Sequence, residues 1–496
     1  MSKFINSFRE HTSPWLAIAF ITIIVLIATK VWRARTIFPK GKRPPPPPVA
    51  AGAPLVGILP AILTKGLQAV ICDQYAALGS VFTLKSFGLN LRVLVGPEAS
   101  APFFHGSEQE ISIGDVYKMT VPIFGKGVGY DVDTDTRNEQ HRFFAEALRP
   151  AKLRSHVHPM NHEVSEFFGR WGQCGTVDLQ QEVDHVLMLI ASRCLLGKEV
   201  REKMLDEVSQ LLHELIGGMH LVSMFFPYLP IPAHRRRDRA RARLEEIFSG
   251  IARSRRISGH VEDDTLQSLI DSRYKDGRPT TDAEVTGLLV ALLFAGQHTS
   301  STAVTWTLAR LLRHGECLAA AAAEQEELAA RHRRHIDYNA VAQMGYLHRC
   351  IKEALRLHPV TPMILRRARR GFAVRAEDGG EFAVPEGHMV ASPLVVNNLL
   401  PGVYRDPHAF DPDRFAPGRE EDKAGGDLAY TAFGAGKHAC MGEGYAYLQM
   451  KVILSHLVRN FELELVSPFP ETENMISMRP KGSLMVSYKR RLLHNT

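Results

Sequence analysis

The stretch Phe433–Gly442 reads FGAGKHACMG, and Cys440 within it is the residue best placed to do chemistry. Gly434 and Gly436 permit a tight turn with backbone angles that other residues resist. A helical pattern, EGYAYLQMKVILSHLVRNF, follows at once. Cys440 therefore stands at the entry to a helix, where free N–H groups and the dipole favour a thiolate. Lys437 and His438 add positive charge close by. Together these features describe a cysteine kept as an anion in a rigid loop, suited to a metal or to a nucleophilic role. A lone cysteine is most often a small buried residue, and the glycine pattern argues against that here.

The other cysteines are Cys72, Cys174, Cys194, Cys317 and Cys350. No two form a C-x-x-C pair and none sits beside a zinc-type histidine spacing. Six in 496 residues is too few for a disulfide framework and fits a reducing compartment. Hydrophobic residues at 45%, charged at 23% and aromatic at 8% are ordinary globular values, which excludes a disordered, collagen-like or small stapled chain. A polytopic membrane protein is excluded too, because at most two uncharged runs approach spanning length. The net charge of +7 suits a membrane surface or an acidic partner. The basic run His234–Arg243, HRRRDRARAR, leads into the amphipathic LEEIF and reads as a solvated helix face. No basic run interleaves aromatics, so nucleic acid is not an expected partner. Gly125-Lys-Gly127-Val-Gly129 fails the dinucleotide-binding spacing, and there is no Walker loop and no internal repeat.

The elements that must position Cys440 follow from periodicity. Trp15–Thr29, WLAIAFITIIVLIAT, is an uncharged run somewhat short of the about 20 residues of a spanning helix. Lys30, Arg33, Arg35, Lys40, Lys42 and Arg43 follow, and positive residues stay cytosolic. That favours an uncleaved anchor over a signal peptide. Pro44–Pro48 forces a stiff spacer. The expected plan is an anchor over 1–30, a basic and proline-rich linker over 31–50, and a catalytic domain over 51–496. Val81–Leu84 and Leu91–Val95 read as strands. Arg137–Leu148, Asn161–Trp171 and Val183–Leu196 carry apolar spacings of three and four and read as helices. The greasy Met224–His234 reads either as a buried loop or as a membrane contact or lid. Thr281-Asp-Ala-Glu284 is a capping box. It opens an apolar run from Val285 to about Leu312, roughly 42 Å of helix. Gln297–Ser301 in its middle argues against a membrane span and for a helix crossing a large domain. Glu353 and Arg356, taken alone, are a surface pair worth a few tenths of a kcal/mol. Leu347, Ile351 and Leu355 instead mark their helix as packed, and His358-Pro359 ends it. After residue 370 the chain turns to strands and loops, Leu484–Tyr488 among them.

F-x-x-G-x-x-x-C-x-G resembles the haem-binding signature of the cytochrome P-450 haem-thiolate monooxygenases. Three further motifs stand in the family's order. Glu353-Ala-Leu-Arg356 resembles its E-x-x-R pair, and Arg414 in FDPDRF resembles the third member. Ala295-Gly-Gln-His-Thr-Ser300 resembles the oxygen-activation segment of the long central helix. The resemblance covers about residues 50 to 490. It implies a mainly α fold with small β-sheets and haem b ligated through Cys440, with Phe433, Gly434 and Gly442 framing the ligand loop. It also implies electrons from NADPH through a separate cytochrome P-450 reductase, and a thiolate whose electron push favours O–O cleavage. Thr299 and His298 would relay protons. A buried Glu353–Arg356–Arg414 cluster would position the cysteine loop. The reductase would meet a basic face near Lys437 and Lys451. Anchor and spacer fit the microsomal members, hence an endoplasmic reticulum membrane with the catalytic domain in the cytosol.

The His298-Thr299 version of the central motif is similar to the sterol 14α-demethylases, and Tyr117–Asp131, YKMTVPIFGKGVGYD, resembles the stretch that lines their haem edge and cavity. The resemblance implies that Tyr117, Tyr130, Arg366 and His438 hydrogen-bond haem propionates, with Arg142 or His141 adding charge. Met119, Phe124, Ala295, Met363 and Leu365 would contact a polycyclic substrate. FAGQHTSS, AHRRRDRAR and NFELELVSPFPE closely resemble the plant branch, whose substrate is obtusifoliol. The reaction there is three successive oxidations that release the 14α-methyl as formate. Departures fall in the cavity lining. Met119 replaces the usual Phe, TAVTW replaces ITSTW, and Leu394–Asn398 differs. The haem loop reads GAGKHAC for GGGRHGC, which preserves ligation. Drift of this kind resembles a divergent grass branch, some members of which hydroxylate or epoxidise triterpenes such as β-amyrin. The expectation leans to that specialised triterpenoid role, with obtusifoliol demethylation as the alternative. A haem-containing sterol binder without oxygen chemistry is the reading from a different class, and Thr299 with its apolar surroundings argues against it. One methyl changes discrimination in an apolar pocket by only about 1–3 kcal/mol.

Overall fold

Apolar spacings of three and four produce the helices that build the body. They include α1 (Gly96–His105), α2 (Thr134–Ala147), α3 (Pro150–Gly169), α4 (Leu179–Ala191), α5 (Pro232–Ser258), α6 (Asp282–Arg313), α7 (Gly345–Leu357) and α8 (Glu443–Asn460), with further helices before and between them. The computed structural model describes residues 44–54, 56–218, 223, 226–259, 261–332, 336–472 and 478–491. The expected anchor, Trp15–Thr29, lies outside the described residues. Among the described residues no helix is long and apolar enough to cross a membrane.

Helix α6 opens on the capping box: Thr281 and Glu284 each bond the other's backbone N–H. It then runs through the middle of the molecule, packed by α4, α5, α7 and α8. Its two halves are buried, Val285–Val290 on one side and Ser300–Ala309 on the other, so Ser300 and Ser301 of the polar stretch lie in a protein interior. The turns between are different. Phe294 and Gly296–Thr299 are only half-covered by protein and Ala295 is exposed.

Among the described residues, ten strands make three small sheets. They are β1 (Val81–Ser86), β2 (Leu89–Leu94), β3 (Ile111–Ser112), β4 (Cys174–Asp178), β5 (Ile364–Ala368), β6 (Phe372–Arg375), β7 (Glu381–Val384), β8 (Met389–Ser392), β9 (Phe461–Leu465) and β10 (Met485–Arg490). The first sheet has the order β1-β2-β8-β5-β3, parallel only between β2 and β8. β4, β10 and β9 form the second, and β6 with β7 the third. In β5 the period of two puts Ile364, Arg366 and Ala368 on one face, where Ile364 and Ala368 pack with Phe103 and Phe104 of α1.

Two expectations change. Pro44–Ala50 is not a free spacer. Pro48 O accepts from Thr83 N at 2.8 Å, Ala50 N donates to Thr83 O at 2.9 Å, and Pro45 O accepts from Ala383 N at 2.9 Å. Prolines offer carbonyls without N–H groups, which suits an added edge segment, and Pro47 and Ala50 are buried there. The folded domain thus includes residues before 51. The basic run on α5 is not wholly a solvated face either. Arg237 and Arg241 turn inward to the carbonyls of Pro227 and Phe124, while Arg235, Arg236 and Arg239 stay outside. Of the Met224–His234 stretch, Tyr228 is exposed, and buried His234 binds Leu229 O and Ser223 Oγ at 2.7 and 2.8 Å. Met224 and Phe225 lie outside the described residues.

Candidate active site

The cysteine loop is built on left-handed glycines, Gly434 with φ of 72° and Gly436 with φ of 65°. At Gly436 a Cβ would collide with the carbonyl oxygen of Phe104 at the end of α1, so the loop presses on that helix and only glycine fits. Gly434 N donates to Thr431 O at 2.9 Å and Cys440 N to Phe433 O at 2.8 Å, closing the loop. The side chain of Phe433 is half-buried against Tyr447, with ring centroids 5.1 Å apart. Gly442 caps α8, and a Cβ there would stand 3.8 Å from Cys440 Sγ.

Cys440 lies on an exposed surface of this loop. Desolvation pushes its thiol up, with Glu443 adding, and the backbone N–H groups of Gly442 and Glu443 pull the other way without prevailing. His438 is engaged elsewhere, and two amides alone do not outweigh desolvation. A metal cation would supply the missing charge, because ligation itself takes the proton from the sulfur.

Behind the loop, Glu353, Arg356 and Arg414 are fully buried. Glu353 receives Arg356 Nε at 2.7 Å and Arg414 Nε at 2.9 Å, together with the Asp411 N–H at 2.9 Å. The guanidinium of Arg356 also ties down the carbonyls of Asn398 and Pro407, and that of Arg414 the carbonyl of Arg405. Tyr404 lies under Arg356 and donates to Ala429 O at 3.0 Å, at the approach to the cysteine loop. The cluster fixes the segment from which Phe433–Gly442 departs.

A second cluster collects cationic and phenolic groups. The rings of Tyr117 and Tyr130 stack at 5.5 Å, and Arg137 lies 5.7 Å from the Tyr130 centroid. Arg366 is buried, covers the Phe103 ring at 4.4 Å and donates to Phe103 O. Its Nε has no partner among the described residues. Burial lowers Arg366 to about 10, against the pull of Glu108 and Tyr117. Burial also raises Tyr117, and Tyr130 to about 12. Glu108 was not anticipated from the sequence. Burial alone would raise its carboxyl, but His438, Ser112 and Arg137 hold it well below the usual range.

Helix phase settles the choice between His141 and Arg142. His141 stands four residues after Arg137, on the same face. It is pushed down by burial and then by Arg137 and His438. Arg142 points out and donates to Arg273 O at 2.8 Å, so it takes no part in this cluster. Arg137 was missed because an exposed-looking helix start gave no signal beyond that spacing.

On α6, Thr299 Oγ1 donates to Ala295 O at 2.7 Å. His298 Nδ1 meets Arg479 at 3.2 Å. Phe124, buried in a short helix, packs edge-on against Phe294 at 5.7 Å, and Met119 is half-buried in the turn before it. Met363 and Leu365 lie half-buried at the start of β5, where Leu365 pairs with Ala391. Lys451, expected on a basic outer face, turns inward to Val341 O at 3.2 Å, and burial lowers it to about 8. Lys437 is exposed.

The donor set fits an iron porphyrin. A thiol in a glycine-bound loop suits the metal, and buried guanidinium, phenol and imidazole groups suit its carboxylates, with Arg366 Nε still lacking an acceptor. Comparison with known proteins agrees. The Cytochrome P450 family model matches residues 44–488. Obtusifoliol 14-alpha demethylase of Sorghum bicolor is 52% identical over 98% of this chain and 98% of that protein. Sterol 14-demethylase of Arabidopsis thaliana is 51% identical over 95% and 98%. Lanosterol 14-alpha demethylase of Homo sapiens is 36% identical over 84% and 82%. A solved structure of a retinoic acid-bound cyanobacterial protein matches with a TM-score of 0.77 over 91% of this chain and 100% of its own, at 23% identity, which bears on the fold alone. The glycine-bound Cys440 loop, the buried Glu353 cluster and these full-length likenesses together mean that the chain belongs to the cytochrome P450 family, in the plant branch of the sterol 14-demethylases.

Proposed function

We propose that this monooxygenase removes the 14α-methyl group of a plant sterol of the obtusifoliol type by successive oxidations. The near-full-length likeness to two plant enzymes with that printed activity carries the reading. The triterpenoid expectation, drawn from a few changed cavity residues, is less well supported than this alternative, and a few apolar substitutions are a weak guide to substrate.

Haem held by Cys440, with its carboxylates on Tyr117, Tyr130, Arg366, His141 and His438, supplies dioxygen activation when bound. The chain's own residues do the rest. Phe433, Gly434 and Gly442 keep the ligand loop rigid. Met119, Phe124, Ala295, Met363 and Leu365 exclude water and orient the polycycle. Thr299 holds a hydroxyl on the half-covered middle turn of α6, and His298 moves protons toward it. Electrons come from NADPH through a separate reductase that meets the Lys437 side. The chain resides at the endoplasmic reticulum membrane through Trp15–Thr29.

The test is expression of the full chain with a reductase, with obtusifoliol and β-amyrin offered side by side. Formate and a Δ14 sterol support the proposal. An oxygenated triterpene without sterol product overturns it in favour of the specialised role. Ligand-induced spectral change without any product points to a non-catalytic binder.

A further inference from the structure

His298 is asked to move a proton, yet it is gripped by a permanent cation. Its Nδ1 lies 3.2 Å from Nη1 of Arg479. A guanidinium has donors only. Nδ1 must therefore be the accepting nitrogen, and the neutral ring then carries its proton on Nε2. Arg479 is itself anchored, with Nη2 2.8 Å from Asp184 Oδ2 on α4. The backbone beside it is fixed as well. Trp306 Nε1 donates to Met478 O at 2.6 Å, and Met478 N donates to Val360 O at 3.3 Å. Three parts of the chain thus converge on one imidazole: α4, α6 and the segment that carries Arg479.

We propose that Arg479, anchored by Asp184, is a positioning residue that locks His298 in one ring orientation and in the Nε2–H tautomer, so that proton supply to Thr299 depends on a salt bridge to another helix. The inference rests on the monooxygenase reading above and adds a residue to it. Among the described residues, the charged groups facing His298 are Arg479 and Asp184, while the charged residues of α6 itself stand at its ends. Burial lowers His298, Arg479 lowers it further, and Asp184 partly offsets them. With the bridge closed, a second proton on His298 is disfavoured. A proton passed through the ring enters at Nδ1 as Nε2–H gives its own up, so relay needs the bridge to open, and its closing restores the Nε2–H form. Both partners of the bridge keep some contact with solvent, at 20% and 39% exposure, so it adds little to stability and can open without unfolding.

The test reads His298 directly. C2–H exchange of this histidine against pH, followed by mass spectrometry on the full chain, gives its titration without any substrate. R479Q keeps a donor for Nδ1 and removes the charge, and R479A removes both. In each the His298 midpoint moves to higher pH, and R479K, which retains the charge, stays near wild type. With an accepted sterol, product formed per NADPH falls about threefold or more in R479Q and R479A. D184N, which leaves Arg479 charged but weakens its anchor, with the Gln180 amide oxygen still in reach, lowers it too. Coincident exchange curves for wild type, R479Q and R479A overturn the proposal, whatever the turnover. Shifted curves in a protein that oxidises no sterol leave it standing and instead overturn the function proposed above.

Discussion

Arg137 Nη2 lies 3.0 Å from one oxygen of Glu108, and His438 Nε2 lies 3.4 Å from the other. One half-buried carboxylate therefore holds two of the cationic groups that line the site, one from α2 and one from the cysteine loop. Without it, both would be free to collapse onto any other anion.

Glu108 links that geometry to stability. Its carboxyl is held below the ordinary value of 4.5, so its contribution is complete above that value and is lost as pH falls through the depressed one. E108Q should cost about 1–3 kcal/mol near neutral pH. The gap from wild type should narrow steadily below pH 4.5. Denaturant unfolding of both proteins across that range checks this, and a gap independent of pH contradicts it.

Glu353 is the acid of a fully buried triad, and among the described residues Arg356 and Arg414 have no other carboxylate but Glu421, which reaches Arg414 alone. E353A strands a buried guanidinium. Loss of about 3–5 kcal/mol is expected, with weakening of the thiolate-type ferrous–CO band as the cysteine loop loosens. Unfolding and the CO difference spectrum measure the two effects. A variant as stable as wild type would show that the triad is not what fixes the loop.

The parts of this site that were legible in the sequence are those whose geometry is local. Gly434, Gly436 and Cys440 lie within one loop, and Glu353 and Arg356 on one helical turn, so their spacing reports their arrangement. Thr281 and Glu284 are legible for the same reason. Glu108 was not, because its partners come from a helix and a loop far along the chain and nothing local marks it. His141 and Arg142 are adjacent in sequence and differ only by helix phase, which shows once the face carrying Arg137 is known. The prolines at 44–48 suggest an extended spacer, and extended they are, but edge pairing with β1 is a tertiary fact. Arg237 and Arg241 read as solvent-facing because charge, without the carbonyls that receive it, gives no sign of burial.

The helix-phase result makes a paired prediction. H141A removes a group that faces Arg137 and His438, so haem should leave about fivefold faster, the equivalent of about 1 kcal/mol. R142A removes a surface contact to Arg273 O and should leave the rate unchanged. Haem transfer to an excess of apomyoglobin measures both. Equal effects, or a larger one in R142A, would mean that Arg142 rather than His141 serves the site.

Thr299 allows the oxygen chemistry to be separated from binding. Its hydroxyl proton is committed to Ala295 O, which leaves the oxygen's lone pairs to accept a bond from whatever stands over the half-covered turn of α6. Thr-to-carbonyl bonds of this kind do little for a helix, and alanine is the better helix former. T299A should therefore fold normally and give the same sterol-induced spectral change. Product per NADPH should nevertheless fall about tenfold or more, with peroxide released in its place. T299S, which keeps the hydroxyl, should recover most of the coupling. Measuring NADPH, peroxide and sterol product in one reaction distinguishes the cases. Full coupling in T299A would remove Thr299 from the proton path and leave its position on that turn without a role in the reaction.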